Sequence, residues 1–82
     1  MEAILLSIDW RCEMRAQDIK IDSIYRHRTS PNYAFAKAIK ILKPKEYPNT
    51  NNFIVVKCYW STTMNFDFAM IKYFRPTDLI KY

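Results

Sequence analysis

A chain of 82 residues, 50% of them hydrophobic and 16% aromatic, is long enough for one small domain and too apolar for a disordered tail. Basic side chains outnumber acidic ones by 13 to 8, giving a formal charge of +5. Glycine is absent, where average usage would place about six, and with it go the Gly-rich phosphate loop, the dinucleotide fingerprint and the nucleophile elbow.

The first pattern along the chain is strict alternation. Leu6, Ile8, Trp10, Cys12 and Met14 are apolar, while Ser7, Asp9, Arg11, Glu13 and Arg15 are polar. This predicts a strand over residues 3–15 with one buried face. Residues 16–18 interrupt it, and a second strand is expected over 19–28, with an irregularity at Asp22 and Ser23. Thr29, Ser30, Pro31 and Asn32 form a turn. Residues 33–43 carry two signals. Their alanines and lysines suit a helix, whereas Phe35, Ile39 and Ile41 suit a strand whose mixed faces a bulge near Ala38 would reconcile. Pro44 ends this element, and the polar loop 45–52 follows, its asparagines available as substitutes for glycine at positive φ.

Residues 53–60 are rich in β-branched and aromatic side chains and predict a further strand. Residues 61–65 turn the chain and 66–74 return it. Residues 75–79 read as a short 3₁₀-type turn and 80–82 as a last strand. Short strands separated by frequent turns predict an all-β fold of five to six strands in a single domain, residues 1–82. A closed or nearly closed barrel with an added N-terminal strand removes exposed edges at this size. A helix at 33–43 would instead make the domain α+β.

Chemistry-bearing residues are sparse. His27 is the single histidine and reads as a surface residue in or near a turn. Cys12 and Cys58 lack the C-x-x-C spacing of a zinc site and are expected to be buried free thiols. Asp9 and Glu13 would share a strand face about 13 Å apart, beyond the usual reach of a glycosidic acid–base pair. Nothing raises a nucleophile above background, so the expectation is no enzyme, no catalytic residue, no metal and no cofactor. The N-terminus lacks a basic leader region, and the apolar runs 3–6 and 53–56 are too short to span a bilayer. A cytoplasmic protein with no membrane partner is expected.

Basic residues are interleaved with aromatic ones. Arg26 and Arg28 flank Tyr25 and His27, Lys57 precedes Tyr59 and Trp60, and Lys72 and Arg75 bracket Tyr73 and Phe74. Lys37, Lys40, Lys43 and Lys45 form a second cluster. Lysine and arginine neutralise phosphates, and exposed rings offer faces on which unpaired bases stack. The candidate nucleic-acid-binding set is therefore Arg26, Arg28, Lys37, Lys40, Lys43, Lys57, Lys72 and Arg75. Tyr25, Tyr59, Trp60 and Tyr73 are the candidate aromatic contacts. The plain alternative is that alternate charges on strands form a solvated face.

Four stretches taken in order carry a resemblance. They are Asp22-Ser23-Ile24-Tyr25-Arg26, the run from Tyr33 to Ile41, the run Ile54-Val55-Val56-Lys57-Cys58-Tyr59-Trp60, and Tyr73-Phe74-Arg75-Pro76-Thr77-Asp78-Leu79. From residue 18 to the C-terminus this order resembles a small Src-homology-3-like barrel of the Tudor/KOW kind, with Ser23 where such barrels usually place a glycine. The resemblance implies a non-catalytic binding module for nucleic acid or for protein segments. The expected partner is nucleic acid or a nucleic-acid-handling protein, and the expected state is a monomer or weak dimer. The competing expectation is a small interaction inhibitor, of the kind phages encode, that occludes a host defence enzyme through an aromatic-rich surface. The abundance of Ile, Lys, Asn, Tyr and Phe is that of AT-rich coding sequence, which suits a low-GC bacterium or its phages.

Overall fold

Runs of β-branched and aromatic residues extend because their side chains pack best on a pleated surface. A computed structural model describes residues 14–82 of the chain, and in it five such runs pair. They are β1 (Ile24–His27), β2 (Phe35–Leu42), β3 (Val55–Ser61), β4 (Met70–Phe74) and β5 (Leu79–Lys81). All neighbours are antiparallel, in one sheet of order β4-β3-β2-β1-β5. The fold is all-β, as expected, with helical backbone among the described residues confined to 3₁₀ turns at Ala16–Asp18 and Pro76–Asp78. Within these residues β4 and β5 each pair on one side only. The strand expected over 3–15 falls mostly outside the described residues, as does Cys12.

Both 3₁₀ turns are spelled Arg-x-x-Asp, and the spelling explains them. The Asp18 carboxylate accepts the Arg15 N–H at 3.0 Å, and the Asp78 carboxylate accepts the Arg75 N–H at 3.2 Å. Each acid thereby satisfies a backbone donor at the start of its turn. Pro76 pre-sets the second turn, whose exit leads directly into β5.

The expected strand 19–28 is shorter than its alternation suggested. Asp22 adopts φ 72°, in the left-handed region, and ends any extended run there. Its N–H donates to the Ala38 carbonyl at 2.7 Å while the Ala38 N–H donates to the Ser23 carbonyl at 3.0 Å, so the kink is tied to β2. Positive φ falls on Asp22 and Lys45, and none of the loop asparagines adopts it. Asn49 instead holds the loop from within. It is 3% exposed, and its amide donates to the carbonyls of Lys43 and Phe53 and accepts the Asn51 N–H. A β-branched residue tolerates the left-handed region poorly. Asp22→Val is therefore expected to lower stability by roughly 1–2 kcal/mol in urea unfolding, whereas Asp22→Gly leaves it unchanged or raised.

Residues 33–43 form a strand rather than a helix, and the bulge expected near Ala38 is present: the β2–β3 register shifts between Ala38 and Lys40. The return segment 66–74 is strand only over β4, because Asn65 and Phe66 hold a turn through hydrogen bonds to the N–H groups of Asp67 and Ala69.

The main core cluster lies on one face of the sheet, while Leu42 and Val55, opposite each other and also buried, stand on the other face at its end. Met14, Ile19, Tyr25, Ala36, Ala38, Val56, Cys58 and Leu79 form a buried cluster, with Ile41, Trp60 and Phe74 packed against it. Across the strands Tyr25, Ala36 and Trp60 stand in register, so the small alanine separates two large rings. Cys58 is a buried free thiol, and burial pushes its pKa up from 9.0 to about 12. The folded chain then keeps a proton that the unfolded chain sheds, so this group's contribution to stability falls as pH rises from 9 towards 12. In urea unfolding across that range, the wild type is expected to lose ground steadily against Cys58→Ala.

Candidate nucleic-acid interface

Directly opposed residues of an antiparallel ladder project to the same face. On the face opposite the core, Ile24 stands beside Lys37, Lys37 beside Tyr59, and Tyr59 beside Ile71. In the next row Lys40 stands beside Lys57 and Lys57 beside Tyr73. The bulge makes this possible. With unbroken alternation from Lys37, Ile39 would share its face and Lys40 would turn towards the core. The extra residue re-phases the strand, bringing Lys40 opposite Lys57 and returning Ile41 to the core.

The electrostatics of this face are one-sided. Of the basic residues in the five strands, Arg26, Lys37, Lys40 and Lys57 stand on this face and Lys72 and Lys81 on the other, and the strands carry neither Asp nor Glu. The acids of the described residues, Asp18, Asp22, Glu46, Asp67 and Asp78, all lie in turns and loops. No described carboxylate pairs with Lys40 or Lys57, and Asp18 is paired with Arg15. Like charges directly opposite on a sheet cost stability, by roughly 0.2–1 kcal/mol. Tyr73 is 45% exposed beside them and Tyr59 is half-buried. Lys37 is also half-buried, with Nζ 5.9 Å from the Phe66 ring centroid.

Of the other sequence candidates, Arg26 shares this face and the rest do not join the lysine rows. Tyr25 is 4% exposed, and its hydroxyl accepts the Lys20 N–H at 2.8 Å, so it belongs to the core and leaves the contact set. Arg26 is already engaged: its guanidinium lies 4.3 Å from the Phe35 ring centroid and 5.0 Å from that of Tyr82, and it donates to the Pro31 carbonyl. Arg75 covers Phe53 at 4.0 Å. Arg28 follows β1, its N–H bound to the Asp78 carbonyl at 2.9 Å. Lys43 sits in the loop after β2, where its N–H donates to the Glu46 carboxylate at 2.8 Å. Trp60 and Lys72 lie on the core face, with Nζ 5.6 Å from the indole centroid. His27 is half-buried rather than a plain surface residue, since its ring meets Phe74 at 5.3 Å.

Among the described residues no cluster of His, Cys, Asp or Glu could hold a metal ion, and no helix is long and apolar enough to cross a membrane. No family model matches the chain, and no match to it is found among curated proteins or solved structures. What the chain does must therefore be read from its own side chains. Ile71, exposed beside Tyr59, is the member of the face that sequence alone did not single out. Only the ladder register puts it there.

Proposed function

We propose that this chain is a non-catalytic binding module that holds nucleic acid on the open face of its sheet. In this reading Lys37, Lys40 and Lys57 contact phosphates, while Tyr59 and Tyr73 meet unpaired bases. The observation that carries it is the Lys40–Lys57 pair, two like charges held opposite each other on a face where the described strands carry no acid. A polyanion relieves that repulsion, and rings beside it add stacking worth about 1–3 kcal/mol per base. The fold is proposed to be a small Src-homology-3-like barrel. Its support is the order β4-β3-β2-β1-β5, the long bulged β2 and the 3₁₀ turn leading into β5.

Fluorescence anisotropy with a labelled single-stranded oligonucleotide tests the reading. Three lysine–phosphate contacts predict that log K falls against log salt with a slope of about −2 between roughly 50 and 200 mM. Absence of binding to single- and double-stranded oligonucleotides at low salt overturns it. The competing reading, occlusion of a protein partner, has one observation in its favour: Met70, Ile71 and Tyr73 are all exposed on edge strand β4. A stoichiometric partner recovered from host lysate, and lost on Tyr73→Ala, would favour it.

A further inference from the structure

On the core face the sheet ends in an open cleft of about 370 Å³, between β1, the β1–β2 connection and the β3–β4 pair. That volume lies at the lower end of small-ligand sites. Its walls are rings. Trp60 and Phe74 lie 5.1 Å apart at 52°, and Trp60 and Tyr33 lie 6.3 Å apart at 40°. Tyr33, 63% exposed, forms the outer jaw of an opening that faces solvent.

The polar groups of the cleft are one ammonium, an imidazole and hydroxyls. Lys72 presents its ammonium 5.6 Å from the Trp60 centroid and, among the described residues, is the only side chain of the lining with a fixed charge. The Thr29 N–H can only donate, and it points at His27 Nδ1 at 3.3 Å. In the neutral ring Nδ1 is therefore the acceptor and the proton sits on Nε2, a further donor. Ser30 adds a hydroxyl, and no carboxylate of the described residues lines the space. Flat π-walls with donors and one cation match a planar heteroaromatic ring carrying negative charge. The ammonium and indole are close enough for one such molecule to meet both. They also oppose a methylated cation, which would have to share the Trp60 face with Lys72.

We infer that this cleft is a nucleotide site: a base stacks on the exposed ring of Tyr33 at the mouth of the cleft, beside Trp60, and its phosphate pairs with Lys72. The ligand is a nucleoside monophosphate unit, either free or at the end of a strand. The open-face lysines take no part, so the inference stands apart from the function proposed above.

The test is a titration of the ¹⁵N-labelled full chain, followed by amide shifts. The probes are adenosine 5′-monophosphate, adenosine, a 5′-phosphorylated deoxyadenosine oligonucleotide and trimethyl-lysine. Saturable shifts at Thr29, Tyr33, Trp60 and Lys72 are expected with the monophosphate or, if strand ends are the source, with the phosphorylated oligonucleotide alone. Lys72→Ala and Tyr33→Ala, both at exposed positions, are each expected to weaken that binding by about tenfold. Adenosine is expected to bind more weakly than its monophosphate. The inference is overturned if neither phosphate-bearing probe shifts these amides, if Lys72→Ala leaves the affinity unchanged, or if trimethyl-lysine binds more tightly than the monophosphate. Oligonucleotide shifts confined to Lys40 and Lys57 would also overturn it while leaving the open-face reading intact.

Discussion

Replacing Lys40 and Lys57 together by alanine is expected to weaken single-stranded oligonucleotide binding by roughly tenfold or more and to flatten its salt dependence by about 1.4 in log–log slope. The slope is the sharper observable, because each lost phosphate contact removes about 0.7 from it whatever the base sequence. Stability should move the other way. The two ammonium groups stand opposite each other with no carboxylate among the described residues paired to either, so removing them relieves repulsion. The double variant should unfold at the same urea concentration as the wild type or a slightly higher one. A purely structural role for the pair predicts the reverse on both counts: lower stability and an unchanged slope. Anisotropy titrations at several salt concentrations, set beside urea melts, separate the two.

Leu79→Ala is expected to produce the largest loss of stability, about 2–5 kcal/mol. Leu79 is fully buried in the main cluster, stands opposite His27 in the β1–β5 ladder, and opens the short strand β5. Truncation removes buried area and leaves a cavity that the sheet cannot fill without moving β5 away from β1. A domain of this size holds about 4–12 kcal/mol in total, so the variant should melt at least about 10 °C lower. Leu79→Met, which conserves volume, should cost less than about 1.5 kcal/mol. Thermal melts followed by far-ultraviolet circular dichroism measure both, and equal melting of wild type and alanine variant would show that β5 does not contribute to the core as described.

Much of the fold was legible in the chain. β3 and the 3₁₀ turn at Pro76–Asp78 are carried by local chemistry: a β-branched and aromatic run in the first, an Arg-Pro-x-Asp spelling in the second. The bulge in β2 was legible too, since the run from Phe35 to Leu42 cannot keep one face apolar without an extra residue. The candidate site was less so. Tyr25 and Tyr59 look alike in sequence, each an aromatic residue in a strand within two positions of a basic one. One is core and the other lies on the open face, because Tyr25 pairs with Ala36 and Tyr59 with Lys37. Lys57 and Lys72 look equally alike, yet Lys72 sits opposite Cys58 and thus on the core face.

Side-chain alternation, β-branching and turn chemistry act over a few residues, and through them the sequence by itself determined that the chain makes short strands, where most of them break, and that its charge is basic. Tertiary structure alone decided which charges meet. Faces are assigned by the register between strands distant in the chain, and a single inserted residue, Ile39, reverses that assignment for everything after it in β2. The opposition of Lys40 to Lys57, and the gathering of His27, Tyr33, Trp60 and Lys72 around one cleft, are consequences of pairing and are carried by no local stretch of the chain.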